Sequence, residues 1–148
     1  MKELYVIVDV SGSMYAVGKP LIVGNILQTL SACEKLADET NRFTVEKMQW
    51  DGSANEFESL IEKCNEKKKL LLTDGYSLAD SCSKSCVIKD FIEKSKKSLY
   101  LVLCGGDAID VSAYKDFSSL NVVLAEDVLK TIEILMSQED ASTEEEGW

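Results

Sequence analysis

Three stretches of this chain are apolar almost without interruption, "LYVIV" between Glu3 and Asp9, the start of "LLLTDG" at 70–75 and "SLYLVLCGG" at 98–106, while Val122, Val123 and Leu124 mark a further short strand. A strand with one wet face alternates apolar and polar residues, so continuous runs this short predict strands covered on both faces, as in a parallel sheet. The segments between them change period. Ile22, Ile26, Leu30, Cys33 and Ala37 recur at helical spacing, with Pro20 near the first turn, where its missing N–H does no harm. Phe57, Leu60, Ile61 and Cys64 mark a shorter helix, Val87, Ile88, Phe91 and Ile92 another, and Val128, Leu129, Ile132, Leu135 and Met136 a last one. Glu126 and Asp127 stand at the positive N-terminal end of that last helix. "FTVEKMQW" at 43–50 alternates and carries Glu46 and Lys47, which predicts a strand with one edge near water.

Strands alternating with helices across short loops predict an α/β fold, a three-layer α/β/α sandwich around a mainly parallel sheet. The 148 residues make one domain, expected over 1–138, with a disordered acidic tail over 139–148 that has too few apolar residues to pack. Sheets of this kind bind ligands outside the C-terminal ends of their strands, where the strand order reverses. Two candidate loops leave such ends, the Asp9 loop and the Asp74 loop.

Composition narrows the functions. A net charge of −10, from 16 basic and 26 acidic residues, disfavours nucleic acid, whose phosphates require a basic face. The dense basic run Lys67–Lys69 reads as a solvated loop that keeps the following strand soluble. No apolar run approaches the roughly 20 residues that span a bilayer, and the N-terminus enters a strand directly, without a basic leader and cleavage site. Cytoplasmic location is the expectation. Five cysteines are present and no histidine; Cys33, Cys64 and Cys104 fall at apolar positions and read as small hydrophobes. Cys82 and Cys86 form a CxxxC pair that lacks the further ligands of a zinc site, and a disulfide between them stays open.

The chemistry concentrates in "YVIVDVSGSM" at 5–14, where an apolar strand ends in Asp9 followed by hydroxyls at alternate positions, Ser11 and Ser13. A turn followed by a helix cap would use the same residue types. A hard cation such as Mg²⁺ or Mn²⁺ also suits them, because it takes about six oxygens and keeps several waters. Ser11 and Ser13 would coordinate it, while Asp9 and Asp74 would balance its charge and accept from bound water or from the serine hydroxyls. With few carboxylates bonded directly, the ion would stay electrophilic and favour an acidic oxygen from outside.

"DVSGSM" together with "LLLTDG" at 70–75 resembles the von Willebrand factor A domain family, over residues 3 to 138. In that family the metal-ion-dependent adhesion site combines a DxSxS motif, a threonine from a second loop and an aspartate from a third. The resemblance implies metal-site roles for Asp9, Ser11, Ser13 and Asp74, and a non-catalytic protein-binding module completed by a partner's Asp or Glu carboxylate. It further implies a place in a multi-protein assembly, beside an ATPase or kinase system. Two departures stand out. The segment between Asp51 and Lys69 leaves no room for the family's antiparallel edge strand, so the expected sheet order is 2-1-3-4-5 with 43–50 at an exposed edge. The second-loop threonine has no identical match; Ser53 in "DGSANEFESL" is the corresponding hydroxyl, and it is equally placed to be a helix N-cap.

Enzymes of the same fold class fit less well. Haloacid-dehalogenase-type phosphatases carry a second acid where this chain has Ser11. Response-regulator receivers need an acidic pair, a Ser or Thr and a Lys where this chain has one acid, Cys104-Gly105-Gly106 and Ala125-Glu126-Asp127. The expectation is that the chain is not an enzyme. A metal-independent scaffold binding through the exposed strand edge is the alternative. The tail is expected to solubilise; a tail carboxylate capping the metal site, or Trp148 as a recognition element, stays open.

Overall fold

A computed structural model of the chain describes residues 2–16, 18–36, 43–64, 67–77, 98–105 and 121–137. The strands are β1 (Lys2–Asp9), β2 (Phe43–Trp50), β3 (Lys68–Thr73), β4 (Leu99–Leu103) and β5 (Asn121–Leu124); the helices are α1 (Lys19–Leu36), α2 (Ala54–Lys63) and α3 (Val128–Ser137). All pairings are parallel, and the sheet order is β2-β1-β3-β4-β5. Both the α/β class and the order agree with the expectation from sequence. The helix expected around Val87–Ile92, the Cys82–Cys86 pair and the acidic tail lie outside the described residues, as does Ala37.

The period of two explains how continuous apolar runs produce two separate cores. Ile7, Leu71, Leu99, Leu101 and Leu103 face one side and pack on Trp50 and on Phe57, Leu60 and Cys64 of α2. Leu4, Val6, Leu70, Leu72, Val102 and Cys104 face the other, against Ile26 and Leu30 of α1 and Val128 and Ile132 of α3. The sheet is thus covered on both faces, as the missing alternation requires. Trp50 and Phe57 meet edge to face at 5.2 Å, and the Trp50 indole N–H donates to the Ser53 carbonyl at 2.7 Å, which gives its one polar atom a partner.

The Lys67–Lys69 run is not a solvated loop. Lys68 and Lys69 open β3, and Lys69 is fully buried on the α2 side. Its ammonium donates to the carbonyls of Cys64 and Lys67 at 3.2 and 2.9 Å and to Ser98 Oγ at 3.1 Å. Burial lowers the pKa of Lys69, partly offset by the neighbouring Cys64. A lysine at a strand position of core parity, beside the carbonyl-rich C-terminus of a helix, has a local use for its charge that a count of like charges does not reveal.

β2 lies at the sheet edge, with Glu46 and Lys47 exposed as expected. Its Val45 N–H is already taken by Glu34 Oε2 of α1, at 2.7 Å. Among the described residues, no helix is long and apolar enough to cross a membrane.

Candidate functional site

β1 sends its chain to β2 on one side, and β3 lies on the other, so the order reverses between β1 and β3 and opens a crevice at their C-terminal ends. The β1–β3 register runs as far as Val8 opposite Leu72, which brings Asp9 and Thr73 to the next rung. Asp9 is 1% and Asp74 0% exposed. Two carboxylates buried this deeply need partners for their oxygens.

Asp9 divides its oxygens. Oδ1 accepts the Ser11 N–H at 2.9 Å, an Asx turn that folds the first loop, and Oδ2 accepts the Thr73 hydroxyl at 2.7 Å, which ties β1 to β3. Asp74 repeats the first device: its Oδ1 accepts the Tyr76 N–H at 3.1 Å. Its Oδ2 meets the ammonium of Lys19, also at 3.1 Å. Lys19 is the first residue of α1 and only 1% exposed, and it donates to the Ser13 carbonyl at 3.2 Å as well. Its Nζ lies 5.6 Å from the centre of the Tyr76 ring.

The serines stand around these acids. Ser11 Oγ accepts from Ser77 Oγ at 2.7 Å. Ser13 sits in a 3₁₀ turn, Gly12–Tyr15, whose buried Met14 anchors it in the α1 face of the core. The β2–α2 loop closes over the same place: Gly52 has φ +92°, and a side chain there would meet Ser77 Oγ at 2.8 Å and Ser11 Cβ at 3.1 Å. Gly75, at φ +87°, lets the third loop turn sharply while its N–H donates to Thr73 Oγ1 at 3.1 Å.

The structure brings these residues to one rim in two bonded groups, Asp9 with Ser11, Thr73 and Ser77, and Asp74 with Tyr76, Lys19 and through Lys19 the Ser13 carbonyl. The carboxylates accept from backbone N–H groups, Thr73 and Lys19; the serine hydroxyls do not donate to them. The Ser53 hydroxyl caps α2 by accepting the Glu56 N–H at 3.3 Å, while Glu56 Oε1 accepts the Asp51 N–H at 3.0 Å. Lys19, Thr73 and Ser77 belong to these groups without having been singled out in the sequence. For Thr73 a signal existed, since it precedes Asp74 at the end of a strand paired with β1.

Cys104, at the end of β4, reports the electrostatics. Burial, and after it the negative charge of Asp74, push its thiol from 9.0 up to about 12; Asp9 raises it further and Lys19 lowers it. Cys33, Cys64 and Cys104 are unpaired thiols. Among the described residues, no three His, Cys, Asp or Glu side chains group as metal ligands. A site built from two acids and hydroxyls would not form such a group. Its fit to a hard cation rests instead on donor chemistry and charge: the oxygens are hard, and among the described residues two buried carboxylates face one buried ammonium.

No protein-family model matches the sequence, and no curated protein matches it. Among solved structures, a fragment from Peptoclostridium difficile 630 described as a "putative lipoprotein" is similar in fold, with a TM-score of 0.57 at 17% identity, covering 93% of this chain and 100% of the fragment. The shared property is the α/β fold.

Proposed function

We propose that the chain is a non-catalytic protein-interaction module of the von Willebrand factor A type, binding an acidic residue of a partner through a divalent cation, Mg²⁺ or Mn²⁺. The observation that carries this reading is the buried pair of acids, Asp9 and Asp74, at adjacent strand ends with Ser11 and Ser13 beside them and, among the described residues, one buried ammonium for the two carboxylates. The cation would supply a positive point to which a partner carboxylate bonds. Ser11 and Ser13 would offer their hydroxyls to it; Ser11 Oγ accepts from Ser77 and so keeps its own proton directable elsewhere. Asp9, fixed at both oxygens, would act through its charge. Tyr15, Leu21 and Tyr76, on the segments that carry Ser13, Lys19 and Asp74, are 68%, 69% and 40% exposed. They offer a partner the aromatic and apolar contacts that dominate binding energy at interfaces.

Nucleophilic chemistry is not supported by these bonds. The Cys104 thiol, pushed up to about 12, stays protonated at neutral pH, and Ser11 is bonded to another hydroxyl rather than to a base. The partner we propose is a protein of a multi-subunit assembly, such as an ATPase or kinase system, in the cytoplasm, where the unpaired thiols would stay reduced. Nucleic acid and membrane are not part of the reading. The scaffold reading keeps one favourable observation, the edge position of β2, but the Glu34 side chain already occupies an edge amide there.

Calorimetric titration of the chelator-stripped chain with Mn²⁺ tests the proposal. Saturable binding that disappears in Asp9→Ala is the expected result; binding unchanged in the variant would refute the site.

A further inference from the structure

Lys19 is in an unusual place for its charge. It opens an 18-residue helix, where the macrodipole is positive and a cation is disfavoured. It is only 1% exposed, and its partners include Asp74 Oδ2 at 3.1 Å and the Ser13 carbonyl at 3.2 Å, with the Tyr76 ring alongside. Both bonds are longer than the roughly 2.7–2.9 Å of strong charge-assisted contacts. Its chain neighbours Gly18, Pro20 and Leu21 are all exposed, which puts water within reach of a four-carbon stem.

Resting on the metal-site reading above, we propose that Lys19 is the resident cation of this site and that a divalent ion enters in exchange for it. In the metal-free chain the ammonium neutralises Asp74 and ties the Ser13 turn to the third loop. A divalent ion beside Asp9 and Asp74 balances both carboxylates and leaves none for the ammonium. Counting the described residues, the cluster with the ion and Lys19 both inside would carry one excess positive charge at a helix N-terminus; with Lys19 outside it is neutral. Exchange therefore follows from charge, and it couples metal entry to loss of the bond from Lys19 to the Ser13 carbonyl. No covalent bond changes. The site keeps its shape without metal, at the cost of affinity for it.

The experiment titrates the stripped full chain with Mn²⁺ by calorimetry, comparing wild type, Lys19→Gln and Asp9→Ala. Exchange predicts that Lys19→Gln binds roughly tenfold tighter or better, because no ion pair has to be broken first, and that Asp9→Ala does not bind. Equal or weaker binding by Lys19→Gln overturns the exchange and leaves the metal site standing. Absence of binding in both wild type and Lys19→Gln overturns exchange and metal site together. A second measurement covers the case in which Lys19→Gln does not fold: ¹⁵N-lysine-labelled wild type is followed by NMR during Mg²⁺ addition. The solvent-protected ammonium signal of Lys19 is expected to lose its protection as the site fills. A signal that stays protected at saturating Mg²⁺ overturns the proposal.

Discussion

Thr73 carries a double duty at one oxygen atom, donating to Asp9 Oδ2 and accepting from the Gly75 N–H. Replacing it by Val keeps the shape and leaves a buried carboxylate oxygen without its partner, which costs about 1–3 kcal/mol. A urea melt of Thr73→Val should show that loss, with the slope unchanged. Cys104 sets a pH limit. Its folded pKa, about 12, lies above the ordinary 9.0, so between those values the folded chain holds a proton that the unfolded chain releases. The stability this contributes is fully present below pH 9 and is lost as pH rises towards 12, on the order of a few kcal/mol in total. Cys104→Ala should flatten that part of the alkaline decline, measured as the difference between wild-type and variant melts from pH 8 to pH 11. The same residues show what a sequence conceals. Asp9, Ser11 and Ser13 were legible because their spacing is regular. Lys19 was not, because a lysine between Gly18 and Pro20 looks like any solvated loop residue until Asp74 is placed opposite it.

At the level of elements, the helices and strands were legible wherever the apolar period was strong. Ile26 and Leu30 of α1, Phe57 and Leu60 of α2, and Val128 and Ile132 of α3 are buried as their spacing predicts, whereas Leu129 is half exposed. The misreading of Lys69 has a physical cause: a strand boundary is set by pairing with Ser98 and the end of α2, which local charge does not encode. Ser53 belongs to α2 as its N-cap, with Asp51 and Glu56 completing the loop. Burial is slight at Asp51, and its pKa is lowered chiefly by its hydrogen bonds with Ser53. Ser53→Ala should therefore cost about 1 kcal/mol of stability and leave Mn²⁺ affinity unchanged. A loss of Mn²⁺ affinity would show instead that the hydroxyl also reaches the ion.

Across the whole molecule, the order β2-β1-β3-β4-β5 is what brings residues 65 positions apart in sequence, Asp9 and Asp74, to one crevice. That convergence was readable from the strand pattern alone, since parallel strands place all their C-terminal loops at one rim. The distribution of charge inside the crevice was not, because it depends on which side chains turn inward from α1 and from the third loop. In the proposed function this rim would bind a cation in competition with Lys19, and a partner's carboxylate would complete the site. The most direct test is a crystal of the chelator-stripped chain soaked in Mn²⁺, with anomalous data collected at the manganese edge. The expected result is one peak bonded to the hydroxyls of Ser11 and Ser13, with the Lys19 ammonium turned out to solvent. A soaked crystal with no peak there, and with Lys19 still on Asp74, would contradict it.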